Sequence, residues 1–350
     1  MAHDPKREDY QRLSLRFALS LDASDANDLP RAFASFGRRF AQDRDSLPQS
    51  DADRAFHLVA LAAELLDYRL PFVADDDRAA AMARRADALL DEARAIDPTC
   101  YDAVRMRLLT STGSVEERCR LLADGEREVR AFCEAERDRV CAELDGEREM
   151  LAAAIAMRPY WRWLSSMAEG ALVAGRNREA AELAERLLAS DPHDLSDARF
   201  TLAYALAKLE DGPGLARLVE RYETISPMRP ADDAWVLLSQ LALAYKDYDL
   251  PGARRLLGRL LAAYPTSARS LAHQIEVVGG VFARVRVAPY SEDEMVVALS
   301  EGVVLLQEGG APGGSGALGA WVERAVRELA GPASLGDEGR AARSGEGGAS

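Results

Sequence analysis

Residues 175–192 read GRNREAAELAERLLASDP, and their punctuation decides the fold. A helix precedes this stretch, and Pro159 is placed to open it, at a first-turn position where the missing N–H costs nothing. Gly175 marks a short turn, a second helix follows, and Asp191-Pro192 ends it, because proline disfavours helical geometry in the residue before it. The unit is a helical hairpin. Ala168 and Ala180 fall where its two antiparallel helices cross closely, and a larger side chain there would push them apart. Similar endings recur at Ile96-Asp97-Pro98, Ser226-Pro227 and Tyr264-Pro265. Pro192, Pro227 and Pro265 are 35 and 38 residues apart, so three hairpins stand in tandem.

The interval from Pro98 to Pro192 is longer than one such unit, and the excess is a charged stretch. From Ser114 to Glu149, 19 of 36 residues are charged, yet Val115, Cys119, Leu122, Val129, Cys133, Val140 and Leu144 keep a 3/4 spacing. This predicts an amphipathic helical insertion, capped by Ser114 with Glu117 and broken at Gly125 and Gly146. Its narrow seam is interrupted by Glu126 and Glu136, which favours packing on neighbouring helices over a coiled-coil dimer.

Upstream, Asp51 to Arg69 and Asp77 to Ile96 each carry one apolar helical stripe, the first through Ala55, Val59 and Ala62, the second through Ala86, Leu89 and Leu90. Downstream, Thr266 opens a helix to about Val278, Ser291 and Glu294 cap another over Met295 to Gln307, and a last one runs from Leu318 to Ala330. Val281 to Val287 is the one stretch with strand character. Gly309 to Gly316 is a linker, and the Gly-rich segment after Gly331 is expected to be disordered.

The 350 residues exceed what one small core organises, and 48% hydrophobic against 29% charged residues describe a folded chain. A net charge of -14 and a pI near 4.9 repel phosphate backbones and anionic lipid. Nucleic acid and membrane are therefore disfavoured as partners. The charged start MAHDPKREDY and the lack of a long apolar run predict a cytoplasmic protein. Arginine outnumbers lysine 41 to 3, a compositional bias that predicts many weak surface ion pairs.

From Asp97 onward, about two thirds of the chain resembles a bacterial group of tetratricopeptide proteins similar to the suppressor of tumorigenicity seven proteins. The likeness rests on Asp97-Pro98 with Asp102-Ala103, Arg158-Pro159-Tyr160, Gly175-Arg176 with Ala180, Asp191-Pro192 with Asp194, and Ala317-Leu318 to Trp321. The turn after Asp194, LSDAR, departs from the Asn-rich turn of closer members. The resemblance implies an all-α, right-handed superhelix of helical hairpins, with an interaction role and no assigned chemistry. The expected organisation is an N-terminal helical cap (1–70), first repeat-like helices (71–113), the charged insertion (114–157), tandem tetratricopeptide-like repeats (158–265), a C-terminal cap (266–330) and a tail (331–350).

Chemical motifs are missing. Cys100, Cys119, Cys133 and Cys141 form no CxxC pair, which argues for buried reduced thiols rather than zinc. His3, His57, His193 and His273 complete no HExxH, and no phosphate loop or nucleophile elbow is present. No metal, cofactor or catalytic residue is expected.

Function is expected on the concave face, lined by the first helices of successive hairpins. Carried over from the family's groove positions, the candidates are Arg162, Ser165 and Glu169 from one unit, Ser196, Arg199 and Ala203 from the next, and Trp235, Leu238, Tyr245 and Lys246 from the third. Arg162, Arg199 and Lys246 would form a positive strip that selects an acidic, partly apolar peptide, although Trp235 and Tyr245 also suit packing between units. The carboxylate clamp of chaperone-binding relatives needs asparagines on these helices, and Asn27 and Asn177 lie elsewhere. The expected function is a non-enzymatic protein-interaction scaffold. A peptide-sensing regulator is the alternative, and an undetected enzyme the third reading.

Overall fold

The computed structural model describes residues 4–21, 29–111, 113–226, 229–277, 287–311, 314–331 and 335. All regular elements among them are helices, and the chain divides into two compact units, His3–Met167 and Ala168–Ser350. No helix among the described residues is long and apolar enough to cross a membrane.

The first unit begins with α1 (Pro5–Leu19), whose Asp4 carboxylate accepts the Arg7 N–H at 3.0 Å, followed by α2 (Leu29–Gln42). Tyr10 and Phe17 of α1 meet Phe36 of α2 at ring separations of 5.5 and 4.9 Å. Next comes α3 (Asp51–Ala63), started by a capping box between Ser50 and Asp53. The helix predicted to Arg69 widens into a π-helical turn over Glu64–Arg69 and ends in a 3-10 turn over Leu70–Phe72. α4 (Asp76–Ile96) packs on α3, and Ala55, Val59 and Ala62 share a core with Ala86, Leu89 and Leu90 as the stripes require. α5 (Tyr101–Ser111) follows the Asp97-Pro98 stop.

The charged insertion behaves differently at its glycines. α6 (Val115–Glu143) runs unbroken through Gly125, with Ser114 accepting the Glu117 N–H at 3.1 Å. Gly125 is present for close approach: a methyl there would stand 2.8 Å from Cζ2 of Trp163. The break comes at Gly146, whose φ of 59° is left-handed. The seam residues Cys119, Leu122, Val129 and Cys133 are buried. Of the four thiols only Cys141 is partly exposed, and burial pushes those of Cys100 and Cys133 up to about 12. Pro159 does not open a helix either. It lies inside α7 (Gly146–Val173), where burial of Met157, Tyr160, Trp161 and Trp163 holds the helix together against a cost of about 3 kcal/mol.

The second unit is a run of hairpins with one repeated stop. α8 (Asn177–Ser190) follows the end of α7, α9 (Ala198–Lys208) packs on α10 (Gly212–Glu220), which α11 (Tyr222–Ile225) extends, and α12 (Ala234–Lys246) packs on α13 (Leu250–Ala263). Each first helix ends in a left-handed residue, Gly175, Glu210 or Tyr248, spaced 35 and 38 residues apart. In each turn the following N–H donates to the carbonyl five residues back: Arg176 to Ala171 at 2.8 Å, Asp211 to Leu206 at 3.0 Å and Asp249 to Ala244 at 2.9 Å. That is a Schellman stop made three times. Two second helices then start alike, with Asp211 accepting the Gly214 N–H at 2.8 Å and Asp249 the Gly252 N–H at 2.9 Å. Added Cβ atoms at these glycines would overlap the capping carboxylates.

The second helices end at the expected residues, with Asp191, Ser226 and Tyr264 as caps. Ala168 and Ala180 are buried. The C-terminal helices are α14 (Ala268–His273), which is shorter than predicted and has Ser267 rather than Thr266 at its N-cap position, without a side-chain capping bond, α15 (Glu292–Leu306) and α16 (Ala317–Ala330). The proposed strand falls on residues 281–287, of which only Val287 is described. The tail lies outside the described residues except Gly331 and Leu335, and Leu335 is buried at 4% exposure.

Candidate functional site

The face expected to be a groove is closed by the chain itself. Every residue of α9 from Ala198 to Ala207 is buried, and so is α12 from Ala234 to Ser239. What covers them is α15, which packs on both. Tyr204 donates its hydroxyl to the Ala298 carbonyl at 2.7 Å, Trp235 donates Nε1–H to Glu301 at 2.6 Å, and Lys208 donates to the Val304 carbonyl at 3.2 Å. Gly302 makes room for this approach, since a Cβ there would lie 3.2 Å from the Tyr204 hydroxyl. With α14 and α16 also packed against it, α15 is buried on nearly all sides.

The candidate residues are therefore inside or engaged. Arg199 is 3% exposed, donates to Asp194 at 2.6 Å and to Asp197 at 2.9 Å, and lies 4.1 Å over the Phe200 ring. Burial opposes its charge, but Asp197 and Asp194 more than offset that and raise its pKa. Trp235 stacks on Phe200 at 3.9 Å with planes 6° apart, while Ala203 and Leu238 are buried. Tyr245 is half-buried, 5.6 Å from the ring of Trp321. Lys246 reaches Glu308 at 3.1 Å and Glu210 at 3.6 Å, and Ser196 donates its N–H to Asp191 at 3.2 Å.

Arg162, in the first unit, is equally enclosed. Its Nε donates to Asp102 at 2.6 Å and its Nη1 to Glu8 at 2.8 Å. Ser165 and Glu169 are half-buried, and Trp161 and Trp163 are packing residues, with Trp163 donating to the Leu122 carbonyl at 2.9 Å. The positive strip is corrected accordingly. Arg162 and Arg199 are held by buried carboxylates, because a guanidinium removed from water must find a carboxylate partner, and neither faces a groove.

A second polar cluster ties the hairpins to α15. Arg229 donates to both oxygens of Glu294 at 2.7 Å, Tyr264 donates to Glu294 at 2.7 Å, and Tyr222 donates to Asp233 at 2.8 Å. Burial raises the pKa of Asp233, with Arg229 and Arg199 acting against it. Burial and the nearby Asp194 carry Asp191 up to about 6. In the first unit, Asp9 accepts from Arg44 at 2.6 Å and faces the His57 Nδ1 at 2.8 Å; these partners hold its pKa below the ordinary value against the opposing effect of burial. No group of three or more metal-ligating side chains occurs among the described residues.

An open surface does exist in the second unit, beside α8. A groove of about 590 Å³ has Ala181, Ala189, Leu202 and Leu206 among its apolar lining, with Glu182, Glu185 and Arg217 among its charged residues. Arg221 bridges to Glu185 at 2.7 Å beside it. The sequence pattern that places function on first helices passes over this surface, which is built mainly from the second helix α8. Its signal was present in α8, whose apolar arc extends past the buried Ala180, Leu183, Ala184, Leu187 and Leu188 to Ala181 and the exposed Ala189. Comparison with family models, curated proteins and solved structures gives no match.

Proposed function

We propose that the chain is a non-enzymatic, tetratricopeptide-like scaffold of the cytoplasm that binds a partner protein through the groove beside α8. The observation that supports this reading is the recurrence of one hairpin stop at 35- and 38-residue spacing in a unit where α15 already covers the first helices α9 and α12. A repeat array of this kind offers extended surface rather than a reaction centre. The groove beside α8 offers such a surface, a small apolar floor of Ala181 and Ala189 rimmed by the charged Glu182, Glu185, Arg186, Asp211 and Arg217. A partner would lay apolar side chains on Ala181 and Ala189 and meet Glu182 and Arg217 at the edge.

The test is affinity capture from the native cell with wild type, Ala189→Trp and Val173→Ser. Ala189→Trp fills the groove, while Val173→Ser alters an exposed apolar residue elsewhere in the same unit. The reading expects partners to be lost with Ala189→Trp and kept with Val173→Ser, both variants retaining wild-type helical circular dichroism. Equal recovery with both variants refutes the groove as the binding surface.

A further inference from the structure

We propose that Arg158, with Gln11 and Arg7 of α1 beside it, is a binding site for a phosphoryl oxyanion, either free phosphate or a small phosphate monoester. The argument begins with Glu8, a carboxylate only 2% exposed. It accepts from Arg12 at 2.8 Å and from Arg162 at 2.8 Å, and Arg158 stands 3.5 Å away. One carboxylate thus serves three guanidiniums whose side chains are at most 14% exposed. Arg162 has Asp102 as a second acid and Arg12 lies 4.1 Å over the Phe56 ring. Arg158 has neither. Its one hydrogen bond runs from Nη1 to the neutral amide oxygen of Gln11 at 2.8 Å.

This leaves the Nε and Nη2 donors of Arg158 without a partner, and neither is sealed from solvent. Those two parallel donors form the edge of a guanidinium that matches two oxygens of a phosphate. Arg7 stands one turn before Gln11 on α1 and is exposed. An oxyanion seated there would complete the charge balance of Arg158, with the Arg7 charge close enough to act on the same guanidinium. The local electrostatics agree. Burial lowers the pKa of Arg158, Glu8 raises it, and Arg162, Arg12 and Arg7 lower it further, so the net effect opposes its charge. Buried charges are ordinarily compensated, and an added anion supplies what the protein here does not. The proposal concerns the first unit and is independent of the groove in the second.

The experiment is calorimetric titration of the full chain with sodium phosphate and with phenyl phosphate, against sodium acetate and sodium chloride at matched ionic strength. A Kd of about 1 mM or lower is expected for the phosphoryl ligands, with acetate and chloride at least tenfold weaker. Tighter binding of phenyl phosphate identifies a monoester ligand, and equal or weaker binding identifies free phosphate. Arg158→Gln should weaken phosphate at least tenfold, and Arg158→Lys, which keeps the charge and loses the fork, should weaken it several-fold. Without phosphate, Arg158→Gln should match or exceed wild-type melting temperature, because Glu8 keeps Arg12 and Arg162; a merely structural Arg158 would lower it. Arg7→Gln, at an exposed position, should weaken phosphate several-fold with unchanged melting and serves if the Arg158 variants do not fold. Phosphate binding no better than chloride, or undiminished in Arg158→Gln or in Arg7→Gln, overturns the proposal.

Discussion

The closure of the first-helix face by α15 can be measured through Trp235. Its indole stacks on Phe200 at 3.9 Å and donates to Glu301 at 2.6 Å, and the two partners of that bond are 3% and 0% exposed. Trp235→Phe keeps an aromatic ring on Phe200 and removes the donor. Loss of a hydrogen bond to a buried carboxylate costs about 1.5–3 kcal/mol, and the space left by the smaller ring adds about 1 kcal/mol. The expected loss is therefore about 3 kcal/mol. A double-mutant cycle with Glu301→Met separates the two contributions and should return a coupling of about 2 kcal/mol. The assay is urea unfolding followed by far-ultraviolet circular dichroism, with Glu182→Gln as an exposed control within about 0.5 kcal/mol of wild type. A Trp235→Phe loss no larger than the control, or a coupling near zero, would show that α12 does not hold α15 in this way.

Other consequences follow from single contacts. Arg199→Met should destabilise by about 3–5 kcal/mol in urea, since Asp194 and Asp197 would be left buried without their cation; a loss below 1 kcal/mol would contradict the pairing. Gly125→Ala gains about 1 kcal/mol of helix propensity but drives a methyl into the Trp163 ring at about 1–3 kcal/mol, so thermal melts should show a net loss, and a gain would place the ring elsewhere. Asp191, raised to about 6, binds a proton more readily folded than unfolded, so its contribution to stability is present below pH 4 and is lost as pH rises to 6. Asp191→Asn should accordingly stabilise the protein at pH 7 relative to wild type, with the advantage shrinking as pH falls toward 4; a constant difference across that range would contradict the shift.

The hairpins were legible because their boundaries are written locally. Asp-Pro and Tyr-Pro stops, Ser291 as a cap and the 35- and 38-residue spacing act through the backbone of a few residues, and the helices start and stop where those residues require. Gly125 and Pro159 misled for the opposite reason. Both are local helix breakers whose positions are decided by tertiary packing, Gly125 by the ring of Trp163 and Pro159 by a buried aromatic run. The groove residues failed on the same count. Nothing in the residues near Arg199 or Trp235 announces that a helix about 60–100 positions later covers them. The one local hint was the apolar composition of α9 and α12 all round, which marks a helix buried on every side rather than one lining a groove.

Thiol labelling at Ala203 tests the central claim most directly. Ala203 is fully buried on α9, at a position that an open concave groove would present to solvent. A cysteine placed there in a Cys141→Ser background adds one small sulfur, and its reaction with a thiol reagent under native conditions reports access. With α15 seated, the Ala203→Cys thiol should react only through local opening, orders of magnitude slower than a cysteine at the exposed Glu182. A rate matching Glu182→Cys in the folded protein would mean that the first-helix face is open and that α15 does not close it.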